Sequence, residues 1–203
     1  MPGIAFERGE RVALYTVERD DATVFQRGRN HPDLRGPLGL AGPTNAAQVA
    51  STVEDWVERE DSANLLVCLS ADEANADGGT ATGENVTRTA GNANPTPIGA
   101  VNAWDLDRPH GQLSYWLFPD YHGEGYATEA MTLFLDHLFD AREIRGVEAR
   151  VFSHNDASAA LLDRLGFVRE GRLRERNFVD GAYRDELVFG LLREEWVEGS
   201  DRA

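Results

Sequence analysis

The chain has 203 residues, enough for one domain with a sizeable core, and carries 35 acidic against 20 basic residues for a formal charge of −15. All the basic residues are arginine; there is no lysine. So acidic a balance excludes nucleic acid and anionic membranes as partners, since both need a basic face. In chain order, 11–17 alternates as an opening strand, 20–26 reads as a short helix with an acidic start, and 31–43, rich in Pro and Gly, reads as loop. Asn45 caps an amphipathic helix with Val49, Val53, Trp56 and Val57 on one face. Residues 65–70 and 98–104 read as buried strands. Between them 71–97 is polar, without periodicity, and is expected to be a long mobile insertion; its Asn85-Val86-Thr87 triplet is incidental in a cytoplasmic chain. The single cysteine, Cys68, sits in an apolar run and reads as a small buried hydrophobe. No signal pattern or membrane-length apolar run is found, so a soluble cytoplasmic protein is expected.

The stretch 113–130 organises the rest. An apolar, aromatic strand over 111–117 is stopped by Pro119, and a glycine-containing turn opens into a helix from Tyr126 whose apolar face is Ala127, Ala130, Met131, Phe134, Leu135 and Leu138. The first N–H groups of a helix lack internal acceptors, and the macrodipole places about half a positive charge there. Gly123 and Gly125 remove side chains that would hold a phosphate away from the backbone. The segment His122 to Ala127 therefore reads either as a pyrophosphate cradle or as a tight strand-to-helix turn.

Beyond it, 147–152 is an apolar strand. Asn155-Asp156-Ala157-Ser158 is a cap sequence opening a short helix closed by Gly166, and 170–179 with 183–192 reads as a hairpin about an Asp180-Gly181 turn. Residues after Trp196 are expected to fray. His31, His110, His137 and His154 show no metal-ligand spacing and read as surface residues.

The turn His122-Gly123-Glu124-Gly125-Tyr126-Ala127 resembles motif A of the GNAT superfamily of N-acyltransferases, Gln/Arg-x-x-Gly-x-Gly/Ala, with His122 in the first position where Gln or Arg is usual. Asn155 to Phe167 resembles motif B. With Glu170-Gly171 and the terminal Phe178…Asp180-Gly181…Tyr183-Arg184-Asp185, it is similar to the RimJ/RimL-type branch, which acetylates ribosomal proteins. The resemblance covers about 11–196 and implies one α/β domain. That domain has a mixed, mostly antiparallel sheet flanked by helices, with strands splayed at an acyl-coenzyme A site. It implies acetyl-coenzyme A as co-substrate, no metal, and direct acetyl transfer to a primary amine.

By the same resemblance, His122, Gly123, Glu124, Gly125, Tyr126 and Ala127 hold the pyrophosphate, and the backbone groups of Trp116 and Leu117 pair with the pantetheine arm. The Leu117 N–H polarises the thioester carbonyl. Asn155 holds the cofactor through its amide, and Ser158 protonates the departing thiolate. Capping alone is the other reading of Asn155 and Ser158. Some members of the branch carry a carboxylate near the position of Asn177; Glu175 and Asp185 are its acidic neighbours and read as solvated charges.

The acceptor implied is a protein N-terminal α-amine, with small amines such as polyamines and a non-catalytic acyl-coenzyme A-binding module as alternatives and a homodimer left open. The acidic, lysine-free composition resembles proteins adapted to high salt. Near molar salt the Debye length is about 3 Å, so diffuse repulsion of an anionic cofactor vanishes while short hydrogen bonds survive.

Overall fold

A computed structural model describes residues 2–40, 42–70, 73, 95–179 and 181–200. The expected insertion at 71–97 therefore lies outside the described residues except for Glu73 and 95–97, as does Asp180 of the expected hairpin turn. Among the described residues the chain forms one eight-stranded sheet with the order β1-β2-β3-β4-β5-β6-β8-β7. The strands are β1 Ala5–Arg8, β2 Val12–Thr16, β3 Ala63–Leu69, β4 Pro97–Trp104, β5 His110–Leu117, β6 Gly146–Phe152, β7 Val168–Val179 and β8 Ala182–Leu192. The helices are α1 Ala22–Asn30, α2 Pro32–Arg35, α3 Ala46–Glu58, α4 Tyr126–Ala141, α5 Asp156–Arg164 and α6 Arg193–Ser200. Helix α6 occupies the segment for which a frayed tail is expected, and its Trp196 indole donates to Asp136 on α4 at 2.9 Å.

All pairings are antiparallel except β5 with β6. That parallel ladder runs only from His110↔Gly146 to Leu113↔Ala149. Beyond Leu113, β5 keeps its bonds to β4 as far as Leu117, and β6 keeps its bonds to β8 as far as Phe152. The two central strands thus part, and a wedge opens in the middle of the sheet.

Side chains alternate across the sheet, so two cores form. One face packs Leu113, Leu117, Val147, Ala149, Phe189 and Leu191 under α4 and α5. Helix α4 buries the predicted Ala130, Met131, Phe134, Leu135 and Leu138 and, besides them, Tyr126 and Phe139; Ala127 is half-buried. Its far end is held by Arg193, whose guanidinium donates to the carbonyls of Phe139, Arg142 and Ile144. The other face packs Leu66, Cys68 and Ala100 against Phe25, Val49 and Val53 of α1 and α3. Burial pushes the Cys68 thiol up to about 12, so it stays protonated and acts as the small hydrophobe its sequence context suggests.

Two local readings need correction. Val57, expected on the buried face of α3, is exposed, because that helix buries only the Val49–Val53 stripe and half-buries Trp56. His137 is half-buried and not a free surface residue: its ring stands edge-on to Phe6 at 4.6 Å and joins β1 to α4. Asn45 does cap α3, accepting from the Gln48 N–H at 2.9 Å while the Gln48 side chain accepts from the Asn45 N–H at 2.9 Å. Asn45→Ala is expected to cost about 1 kcal/mol, read as a fall of about 2–4 °C in Tm by calorimetry.

Candidate functional site

The wedge fixes which backbone groups are free. Phe118 N–H donates to the Ile98 carbonyl at 2.8 Å, so Phe118 faces β4. Trp116, two residues earlier and paired with Ala100, faces β4 as well, while Tyr115 and Leu117 turn their N–H and C=O groups toward the wedge. The backbone groups of Trp116, expected beside those of Leu117, are therefore engaged in the ladder and not offered to the opening. The Trp116 side chain also points away. It lies against Gly28 of α1 and meets the rings of Phe25 and Phe118 edge-on at 6.2 and 5.1 Å.

At the strand end, Phe118 leads through the short turn Pro119–Tyr121 to the loop His122-Gly123-Glu124-Gly125. Gly123 and Gly125 have φ of +84° and +87°, conformations that L side chains rarely adopt. Gly125 is the N-cap of α4 and supplies no side-chain acceptor. The first intrahelical bond is Glu129 N–H to the Gly125 carbonyl at 3.2 Å, so the N–H groups of Tyr126, Ala127 and Thr128 point out of the helix end.

His122 is exposed at the turn, but its ring is not free. Its Nε2 is 2.9 Å from the Leu117 carbonyl, which ties the loop to the strand end. On the other side of the loop, the Arg11 guanidinium donates to the Glu124 carbonyl at 2.7 Å. Glu129 accepts from the N–H groups of Arg11 and Val12 at 2.8 and 3.2 Å, locking the first turn of α4 to β2.

Across the wedge lies α5. The Asn155 oxygen caps it, accepting from the Ser158 N–H at 3.2 Å, which leaves the amide nitrogen as the free donor of that side chain. The Tyr115 hydroxyl donates to the carbonyl of Ser158, in the first turn, at 3.1 Å, and its oxygen lies 2.6 Å from Ser158 Oγ. Burial pushes the Tyr115 phenol up to about 12 against the opposing bond from Ser158. It stays a protonated donor throughout the neutral range.

Tyr115 is a partner that sequence reasoning missed, since its aromatic, strand-forming context signals only core. Its place two residues before Leu117, on the same face of β5, joins the loop cluster to the α5 cluster. Tyr115, Trp116, Leu117, Ala127, Ala130 and Met131 line a small gap between β5 and α4, too narrow to admit water.

Of the acidic neighbours of Asn177, Glu175 is exposed as expected, whereas Asp185 is not a free solvated charge. Asp185 accepts from the Glu175 N–H at 2.7 Å and from Arg172, and these two partners hold its carboxyl below the usual range. Glu175 sits in the irregular stretch of β7 with φ +48°. The Asn177 amide donates instead to Glu186 at 2.9 Å, and Glu186 is paired with Arg150 at 3.5 Å. Among the described residues no group of three or more His, Cys, Asp or Glu is arranged to hold a metal ion, and no helix is long and apolar enough to cross a membrane.

Comparison with known proteins agrees with this geometry. The family model described as acetyltransferase (GNAT) domain matches residues 11–168. An SPbeta prophage-derived uncharacterized N-acetyltransferase of Bacillus subtilis, YokL, is 27% identical over 195 residues, covering 95% of this chain and 96% of that protein. The ribosomal protein uS5-alanine N-acetyltransferase of Escherichia coli is 31% identical over 87 residues, 43% of this chain and 45% of that protein. The structure of spermidine N-acetyltransferase from Vibrio cholerae, in complex with coenzyme A and spermine, superposes with a TM-score of 0.75 at 17% identity, over 92% of this chain and 98% of that one. The chain belongs to the GNAT family and is an acetyl-coenzyme A-dependent N-acetyltransferase.

Proposed function

We propose that the chain is a single acetyltransferase domain of the RimJ/RimL-type branch that moves the acetyl group of acetyl-coenzyme A to a protein N-terminal α-amine. The observation that carries the reading is the position of the Leu117 N–H in the wedge. It lies between the uncapped end of α4 and the Tyr115–Ser158 pair. Gly123, Glu124, Gly125, Tyr126 and Ala127 cradle the pyrophosphate through backbone N–H groups, and His122 serves by holding the loop on Leu117. The pantetheine arm pairs with the wedge-facing groups of Tyr115 and Leu117 and with the Asn155 amide. The Leu117 N–H then donates to the thioester oxygen as negative charge grows on it.

The amine nitrogen attacks the acetyl carbon, the carbon–sulfur bond breaks, and the proton shed by the amine passes through solvent to restore the one that the thiolate takes from Ser158. Ser158 Oγ supplies the thiolate's proton, and Tyr115 steadies the hydroxyl. Holding both reactants in a near-attack pose contributes the rest. The acidic, lysine-free composition supports a cytoplasm of high salt as the working medium.

The α-amine acceptor rests on the likeness of 155–185 to the branch and on the partial match to the uS5-alanine enzyme. A polyamine acceptor is the second reading, favoured by a 26% match over 106 residues to the spermidine N(1)-acetyltransferase of Vibrio cholerae. The test is thiol release from acetyl-coenzyme A in concentrated KCl, with Ala- and Ser-initiated peptides and spermidine offered in parallel. Peptide turnover at least tenfold above spermidine is expected; spermidine turnover without peptide turnover overturns the α-amine assignment in favour of the polyamine.

A further inference from the structure

The loop that faces the cofactor brings no side-chain cation of its own. Its first residue, His122, is tied to the Leu117 carbonyl, and its other polar side chain is the carboxylate of Glu124. A cation stands beside the loop all the same, delivered by a different strand. Arg11, just before β2, donates through Nη1 to the Glu124 carbonyl at 2.7 Å. Its guanidinium lies over the Tyr126 ring, 4.3 Å from the centroid. A Cβ placed on Gly125 would be 3.9 Å from Arg11 Nη1, with nothing else as near. The guanidinium therefore borders the ground on which a phosphate would rest.

Its other two nitrogens meet a carboxylate. Arg11 Nε and Nη2 both meet Glu73 Oε1, at 3.0 and 2.8 Å, and the Tyr126 hydroxyl donates to the same oxygen at 2.7 Å. Three donors converging on one anionic oxygen is the pattern a phosphate oxygen also satisfies, and a guanidinium fork accepts either anion. The Tyr126 and Arg11 bonds together hold the Glu73 carboxyl below its ordinary value, so it is charged at neutral pH.

We propose that Arg11 is the phosphate-contacting cation of the cofactor loop, and that Glu73 is its internal competitor, displaced when acetyl-coenzyme A binds. The proposal rests on the cradle reading above. Displacement is feasible because both partners of the Arg11–Glu73 pair are partly exposed, with side-chain accessibilities of 35% and 26%, and such pairs are weak. Arg11 keeps its place when the carboxylate leaves, since the Glu124 carbonyl and the Tyr126 ring hold it independently of Glu73. The cofactor thus sees a preformed cation and pays only for releasing one carboxylate.

Calorimetric titration of acetyl-coenzyme A into the full chain separates the parts. Arg11→Ala is expected to weaken binding about ten- to a hundredfold, the loss typical of a charge-assisted contact. Arg11→Lys, which keeps charge and fold but loses the fork, is expected to fall between. Glu73→Gln is expected to tighten binding about two- to fivefold, a change of sign that a merely structural carboxylate would not give. Normal affinity in both Arg11 variants overturns the phosphate contact. Unchanged or weaker affinity in Glu73→Gln overturns the competition. Gly125→Val is the reference: if it weakens binding while the Arg11 variants do not, only Arg11 loses its role, whereas normal binding in Gly125→Val removes the cradle itself.

Discussion

Replacing Gly125 by valine is expected to weaken acetyl-coenzyme A binding by about a hundredfold or more while the protein stays folded. Two effects combine. The residue has φ +87°, which a β-branched side chain adopts at a strain of about 1–3 kcal/mol, so the loop shifts. The new methyl groups also project where the phosphate must approach the N–H groups of Tyr126 and Ala127. Strain of that size does not unfold a domain of about 200 residues, whose stability is typically 5–15 kcal/mol.

Gly166 provides the matched control. It has φ +86° at the end of α5, with open space around a Cβ, and lies outside the loop. Gly166→Val carries the same class of strain and should lower the Tm without changing affinity in the calorimeter. Equal affinity losses in the two variants would mean that the Gly125 effect is strain alone.

Ser158→Ala is expected to reduce acetyl transfer about a hundredfold with the affinity for acetyl-coenzyme A nearly unchanged, measured as kcat by thiol release and Kd by calorimetry. The serine hydroxyl lies in the first turn of α5 and is held by Tyr115 at 2.6 Å. Tyr115→Phe removes that hold and one bond to the Ser158 carbonyl. It should lower kcat about tenfold, less than loss of the hydroxyl itself. Because burial lifts the Tyr115 phenol to about 12, no limb of the pH–rate profile between pH 6 and 9 belongs to it, and the profile shape should survive in Tyr115→Phe. Turnover of Ser158→Ala equal to the parent would take Ser158 out of the mechanism.

The elements with strong local signals were legible without coordinates. Asn45 before an apolar stripe, Gly166 after one, and the apolar runs of 98–104 and 111–117 each state a local preference that the sheet and helices then satisfy. Weak local signals failed. Strand β1 is four residues at the edge and shows little alternation, and the single turn of α2 lies inside a Pro- and Gly-rich stretch. His137 had no neighbours in sequence to reveal that β1 would cover it.

The sequence by itself determined the loop chemistry: two glycines able to take positive φ before a helix start, an asparagine positioned to cap the helix that carries Ser158, and an acidic surface without lysine. Only the tertiary structure decided what those groups meet. The parting of β5 from β6 after Leu113 selects Leu117 and Tyr115, and not Trp116, to face the opening, because ladder alternation depends on the register with β4. The Tyr115–Ser158 bond spans 43 residues, and the contact of Arg11 with the Glu124 carbonyl spans 113. Such contacts leave no periodic trace in either segment, because each partner is specified only by where the sheet brings it.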